Sequence, residues 1–348
     1  MSETPSSAPS PTPEPRRPRR VRRVVLAALV LLVAGTWLNN TALLAPEPDT
    51  GPDVLAHRGL GQTFDPRGCG GRHLHGRAHG PAGAPLPGEH DRRDAGRLRR
   101  WRRPGRVRRP PHRRRPVRGV PRLGGRLPHR GSGTTRDFTL EELRRLDIGH
   151  GYTADGGRTH PFRGEGVGLM PSLDDVLAEF PDRDLLIHVK SEDPEEGALL
   201  ADRLARLPRE QLAGITVYGG DRPVAALRAE LPQVRSMSRE TLTDCLLAYE
   251  ALGWTGHVPD SCAHTQLHIP EGYAPWLWGW PARFTERMAS VDTRVVLVAG
   301  SGGFSEGFDT PAALERVPDD YAGLVWTNRV DRIAPLVADG TGRDDGEG

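Results

Sequence analysis

The stretch DLLIHVK, Asp184 to Lys190, decides the fold of this 348-residue chain. It is a short apolar run closed by Ser191-Glu192-Asp193-Pro194, and it reads as a strand. Working outward, the same kind of run returns as GITVYGG from Gly214, VRSMS from Val234, TRVVLVAG from Thr293 and GLVWTNR from Gly323, and it occurs earlier as DVLAHRG from Asp53. Helical patterns lie between these runs. Thr139-Leu140-Glu141-Glu142 has the form of a capping box, and Ser172-Leu173-Asp174-Asp175 caps a second helix with acids in its first turn. Strands alternating with helices predict a parallel sheet with crossover helices. More such units across about 290 residues than an open sheet needs predict a closed (β/α)8 TIM barrel. In a barrel the chemistry sits at the C-terminal ends of the strands, where His57, Arg58, Lys190, Trp326 and Asn328 all fall.

The N-terminal region has a different composition. Residues 1–15 are rich in Ser, Pro and Glu, have little apolar surface to offset chain entropy, and belong to a disordered tail, 1–23. Six arginines between Arg16 and Arg23 precede an uncharged, mostly apolar run, 24–44. At about 1.5 Å per residue this run reaches roughly 30 Å, the thickness of the hydrocarbon core. Arginines before it and none just after it predict a single-pass anchor with the N-terminus in the cytoplasm and the domain that follows outside. A cleaved signal peptide is the alternative, against which Leu43 and Ala45 make a poor small-residue cleavage site. Residues 45–52 then read as a linker, 53–338 as the barrel domain and 339–348 as a disordered tail.

Charge is as uneven as hydropathy. Of 47 arginines, 20 lie between Arg67 and Arg130, opposed only by Glu89, Asp91 and Asp94. That segment carries about +17 and the N-terminal tail about +4, which leaves the remainder near −18 under a total of +3. The basic balance is therefore local, and no nucleic-acid partner is expected from it. Three cysteines, Cys69, Cys245 and Cys262, are too few for a disulfide scaffold and lack metal-binding spacing. Cys245 and Cys262 can form one bridge outside the cytoplasm or remain two buried thiols. Lysine occurs once, at Lys190, and so needs its own reason in a chain whose other basic side chains are Arg and His.

Residues 67–130 contain no Ser, Thr, Ile, Lys, Asn, Gln, Phe, Tyr or Met, and only eight Leu and Val, so this stretch cannot bury a core. The segment reads as a disordered basic loop, as an arm that binds nucleic acid, or as GC-rich DNA read out of frame, which its composition and a barrel strand count that needs material here favour. With Arg taken as CGN and Leu as CTN, joining the last two letters of each codon to the first of the next tests the idea. Gly88 to Arg92 then admits Glu-Asn-Thr-Ile. Arg106 to His112 admits Glu-Phe-Asp-Val-His-Pro, and Val120 to Gly124 admits Phe-His-Asp-Trp. Ordinary composition resumes at Gly131-Ser132-Gly133-Thr134-Thr135, as two compensating frameshifts require.

With these words in order behind His57-Arg58-Gly59, the chain resembles the glycerophosphodiester phosphodiesterase family, whose members carry HRG, then ENT, then E-x-D, then HD. The resemblance runs from about Asp53 to Pro335 with 67–130 excepted. It extends to GYTADGG from Gly151, GVGLMPSLDDVL from Gly166, PWLWGWP from Pro275 and GLVWTNR from Gly323. It implies hydrolysis of a glycerophosphodiester to sn-glycerol 3-phosphate and an alcohol, on a barrel carrying one divalent cation, Ca2+ or Mg2+. The E-x-D carboxylates would hold that cation. Arg58 would take phosphate oxygens bidentately, and His57 with the HD histidine would be general acid and base. Lys190 matches the lysine of the family's E-x-K strand end, facing the phosphate or the metal. The family's Glu in that motif is His188 here, a neutral ligand less suited to Ca2+, which either ligates weakly or turns into the core. Trp326 and Asn328 would line the substrate site. Trp276, Trp278 and Trp280 pack in the domain or form a rim that touches a headgroup or the membrane. Gly300-Ser301-Gly302-Gly303 lacks a following lysine and reads as a flexible loop.

Without the three out-of-frame motifs the chain should be catalytically impaired. Two further readings remain: a phospholipase D-like enzyme on intact lipids, suited by the anchor and tryptophans, and a non-catalytic, membrane-anchored binding protein.

Overall fold

The computed structural model describes residues 19–44, 51–57, 116–119, 138–152, 157–301 and 306–340. Eight parallel strands organise the domain: β1 (Asp53–Ala56), β2 (Pro116–Gly119), β3 (Asp184–Val189), β4 (Ile215–Gly219), β5 (Arg235–Met237), β6 (Gln266–Pro270), β7 (Arg294–Val298) and β8 (Leu324–Thr327). They form two four-stranded sheets, ordered β1-β8-β7-β6 and β2-β3-β4-β5, with β1 lying beside β2 and β5 beside β6. The expected parallel α/β architecture is present, and among the described residues no backbone ladder joins the two sheets into a closed barrel. At one seam β5 is only three residues long, and the Thr265 hydroxyl donates to the Ser236 carbonyl where a ladder bond would otherwise fall. At the other, β2 is a four-residue strand beginning with Pro116, and its register against β3 is irregular.

Crossover helices cover the sheets: α2 (Leu140–Arg144), α3 (Leu173–Glu179), α4 (Pro194–Leu204), α5 (Arg209–Ala213), α6 (Asp221–Glu230), α7 (Arg239–Leu252), α8 (Ala282–Ser290), α9 (Pro311–Leu314) and α10 (Val330–Gly340). Both expected capping boxes are present. Thr139 and Ser172 accept from the backbone N–H groups of Glu142 and Asp175, whose carboxylates bond back to the cap residues. These bonds hold the Asp175 carboxyl below its usual range, with Arg144 a smaller cause.

Alternation along each strand sorts the core. Leu185, Ile187 and Val189 pack outward with Leu204, Val217 and Leu227 against the helices, whereas Leu186 turns inward with Leu55, Val296, Leu324 and Trp326. A third cluster, including Leu267, Ile269, Phe284, Met288 and Tyr321, holds β6 and β7 against α7 and α8. Within it Cys245 and Cys262 form a disulfide, their Cα atoms 4.6 Å apart. Of the two readings open from sequence, the bridge is the one realised.

Ahead of the domain, α1 (Arg19–Asn40) is longer at its start and shorter at its end than the apolar run 24–44, which closes in a 3₁₀ turn, Ala42–Leu44. Arginines are good helix formers and extend it backward, while Asn39, Asn40 and Thr41 end it. Its span Val21–Asn40 is long and apolar enough to cross a membrane and is not buried by the domain. The remaining boundaries expected from sequence, in 1–18, 45–50 and 341–348, lie outside the described residues, as does all of 67–130 except β2.

Candidate active site

Because inward-facing positions alternate, residues two apart on a strand climb the inner wall together. On β3 that column is Asp184, Leu186, His188, and it continues to Lys190 just past the strand end. Asp184 lies low and pairs with Arg294 at 2.7 Å, closing the N-terminal end of the core with charge. The C-terminal end is a band of rings. His188 lies against Tyr218 (centroids 3.8 Å), Tyr218 is 5.6 Å from His268, His268 is 5.2 Å from Trp326, and Trp326 is 4.5 Å from His57. The imidazoles of β3, β6 and the end of β1 are thus linked by aromatic surfaces of β4 and β8.

His57 is buried, and its orientation is fixed from β8. Its backbone N–H donates to the Thr327 carbonyl at 2.8 Å, and its Nδ1 lies 2.7 Å from Asn328 Oδ1. Asn328 is set in turn by Asp309. The carboxylate accepts from the Asn328 backbone N–H at 2.6 Å, from Asn328 Nδ2 at 3.0 Å and from the Thr327 hydroxyl at 2.9 Å. A carboxylate accepts and does not donate, so the amide nitrogen must face Asp309 and the amide oxygen His57. His57 Nδ1 therefore carries the hydrogen, and in the neutral ring Nε2 holds the lone pair a base needs. Gly307 makes the arrangement sterically feasible, since a Cβ there would meet Asp309 Oδ1 at 2.7 Å and Asn328 Nδ2 at 2.8 Å.

His268 has a different character. Burial pushes it down to about 4, so it is neutral at physiological pH. Its Nε2 lies 2.7 Å from Gln266 Nε2, which can only donate, so the imidazole accepts there. His57 and His268 share a mouth, but only His57 is positioned by a carboxylate-anchored amide. Trp326 is 4% exposed, and its indole N–H has no acceptor among the described residues, which leaves a buried donor within the ring band.

The divalent cation implied by the resemblance does not fit the described residues. Among them no group of three or more His, Cys, Asp or Glu side chains is placed to hold a metal, and the His188 ring lies against Tyr218. Carboxylates near the strand ends have other partners: Glu271 pairs with Arg316 at 3.1 Å, Glu306 accepts from the Ser301 backbone, and Asp309 holds Asn328.

Of the residues picked from sequence, His57, Trp326 and Asn328 meet directly, His188 joins them through Tyr218 and His268, and Lys190 sits half-buried at the lip of β3. Arg58 lies outside the described residues. The tryptophan cluster divides. Trp280 packs on Tyr321 and Phe284, whereas Trp276 and Trp278 stay exposed. Sequence reasoning missed Asp309, Gly307, Tyr218, Gln266 and His268. Tyr218 is in register with His188, and the alternation of β6 points Gln266 and His268 the same way, a signal that strand assignment alone supplies. Asp309 lies in a loop and carries no periodic signal.

Among solved structures the fold is similar to the crystal structure of the glycerophosphoryl diester phosphodiesterase domain of an uncharacterized Mycobacterium tuberculosis protein. The TM-score is 0.50 at 13% identity, over 83% of this chain and 98% of that one. At that identity the likeness establishes the fold, a parallel-stranded α/β architecture of the TIM-barrel type. No family model matches the chain, and no curated protein sequence does.

Proposed function

We propose that this chain is a phosphoric diester hydrolase by descent, built to cleave glycerophosphodiesters to sn-glycerol 3-phosphate and an alcohol, and disabled by the altered segment 67–130. One observation carries the reading. His57, ending the first strand, is oriented by Asn328 at the end of the last one, in a fold shared with a glycerophosphoryl diester phosphodiesterase domain. Lys190 continues the inner column of β3 to the same mouth, where an ammonium offsets the charge of a phosphodiester. His57, with Nδ1–H committed to Asn328, presents Nε2 chemistry suited to moving a proton at an attacking or leaving oxygen. The buried Trp326 N–H suits a phosphate oxygen as acceptor.

What is missing is equally specific. The E-x-D carboxylates and second histidine occur only in the other reading frame, and the described residues offer no metal-binding group in their stead. We also place the domain outside the cytoplasm, tethered by α1. The arginines at its start and the Cys245–Cys262 disulfide support this, since such bridges persist in oxidising compartments.

The test is glycerol 3-phosphate release from glycerophosphodiesters by this chain and by a frame-restored variant, with Ca2+, with Mg2+ and with a chelator. The present chain should be inactive and the restored one active until chelated, a difference of many powers of ten for a metal clamp plus a proton-transfer partner. Equal metal-dependent activity in both would show that 67–130 holds no catalytic ligand. Rereading the DNA should restore all three motifs in one frame with His57 and Ser132; stop codons in that frame would end the frameshift idea.

A further inference from the structure

The end of α1 is not a free tether. Asn40 Nδ2 donates to the Trp254 carbonyl at 2.9 Å. Arg287, in the last turn of α8, donates to the Asn39 carbonyl at 2.7 Å and to Asn40 Oδ1 at 2.9 Å. The same guanidinium reaches the Tyr249 hydroxyl at 3.0 Å and the Gly253 carbonyl at 3.1 Å, so one side chain ties the anchor to α7 and the turn after it. The contact suits both partners, because the last carbonyls of a helix lack intrahelical donors and a cation there favours the helix dipole. Gly256, with φ of 90°, completes the fit: a Cβ there would lie 2.9 Å from Asn39 Nδ2.

This junction sets a level relative to the bilayer. The span Val21–Asn40 is about long enough for one crossing, so its end, with Trp37 three residues earlier, lies in the headgroup zone. Trp254 is bonded to that end. Trp278 is tied to the same place, since its indole N–H donates to the Glu250 carbonyl and its carbonyl accepts from Tyr249. Exposures of 60% for Trp37, 44% for Leu252 and 37% for both Trp254 and Trp278 leave a joined aromatic and apolar face around the anchor. Tryptophan, with an apolar body and one polar N–H, is the side chain favoured at that depth.

We propose that this face, around Trp254, Leu252 and Trp278, rests on the outer lipid interface, held in register by the Arg287 bracket. Deepening the anchor reading, this inference rests on α1 being retained. The docked domain approaches its lipid-derived substrate class in one fixed orientation rather than on a swinging leash.

The full chain in vesicles of brominated phosphatidylcholine, with bromines high on the acyl chains, provides the test through tryptophan quenching. Trp254→Phe should remove a share of the quenching comparable to that removed by Trp37→Phe. Arg287→Ala combined with Asn40→Ala removes the bracket bonds from both side chains and, in protein whose near-UV circular dichroism is unchanged, should abolish the Trp254 share and keep the Trp37 share. Mass analysis of the vesicle-bound protein reports the anchor separately. Loss of residues 1 to about 45 would overturn both the anchor and the docking. With α1 intact, a Trp37 share but none from Trp254 would overturn the docking alone. A Trp254 share that survives the Arg287→Ala, Asn40→Ala double change would overturn the bracket as its cause.

Discussion

The two flanks of the strand-end mouth differ in how completely they are built. On the β1–β8 flank, Asp309 holds Asn328, Asn328 holds His57, and Gly307 leaves room for both side chains, so the four form a connected set. On the β2 flank a single four-residue strand adjoins β3, and the segment 67–130 to which it belongs has too few apolar residues to make a core. The contrast separates what maintains a fold from what maintains a reaction. Seven of the eight strands and all three apolar clusters lie outside 67–130, while the motifs that would complete the proposed chemistry are read only in another frame of that segment. Stability is distributed over many contacts, whereas a phosphodiester-cleaving site fails when one ligand set is lost.

The sharpest way to break this comparison is at His57. In the frame-restored protein His57→Ala should lower kcat by about 10²- to 10⁴-fold with a smaller change in KM, as expected for a proton-transfer group. An unchanged kcat would remove His57 from the chemistry. Asp309→Asn probes the same flank one step back. Its new amide can donate to Asn328, letting that side chain turn its own NH2 toward His57 and force the wrong tautomer, a change known to be severe in triads. We expect a loss of about 10²-fold in kcat with a displaced pH–rate profile. A merely structural role would lower the yield of folded protein and leave the profile in place.

Away from the mouth, the Cys245–Cys262 bridge belongs to the finished side of the molecule, inside the β6–β7 core, and closes a separation of 17 residues. Replacing both cysteines by alanine should cost about 3 kcal/mol by the chain-entropy relation, measurable as a lower denaturation midpoint. No change would mean that the thiols are reduced in the native protein.

Much of this finished side was legible in sequence. Asp184 to Lys190 and the other apolar runs are strands because Pro, Gly and charged residues bound them, and Thr139 and Ser172 stand at helix starts because their hydroxyls and the acids after them satisfy orphan N–H groups. β6 escaped, since Gln266 and His268 interrupt its apolar residues and Pro270 ends it. The Asp184–Arg294 pair escaped for another reason, since a contact across 110 positions leaves no local trace. His57 and Asn328 were visible as strand-end residues. Their bond was not, because it depends on β1 and β8 being neighbours.

His268 offers a pH-dependent contrast with the surface. Its folded value of about 4 lies below the ordinary 6.5, so the unfolded chain binds the proton first. The stability tied to its neutral form is intact above about 6.5 and is lost as pH falls toward 4, on the order of 3 kcal/mol. Chemical denaturation at pH 7.5 and 4.5 should show a smaller pH-linked loss for His268→Gln than for the native chain. Equal losses would mean that the ring is solvated or charged in the fold.

The smallest effect compares two copies of one motif. Ser172 caps α3, whose Val176 and Leu177 enter the β3–β4 core, while Thr139 caps α2, a five-residue helix burying only Leu143. The capping bonds are alike, but a cap contributes to global stability only if its helix unfolds with the whole. Ser172→Ala should therefore lower the global unfolding free energy by about 1 kcal/mol. Thr139→Ala should leave the denaturation midpoint nearly unchanged and raise amide exchange only within 140–146. Asp175 adds a check, because its carboxylate also bonds Arg144 of α2 at 2.7 Å with both side chains well exposed. Such a pair is worth little in water, so it should not carry α2 into the global unit. If Thr139→Ala instead matched the loss from Ser172→Ala, α2 would belong to the cooperative core, and the boundary between the finished and unfinished parts of this molecule would lie earlier in the chain than residue 139.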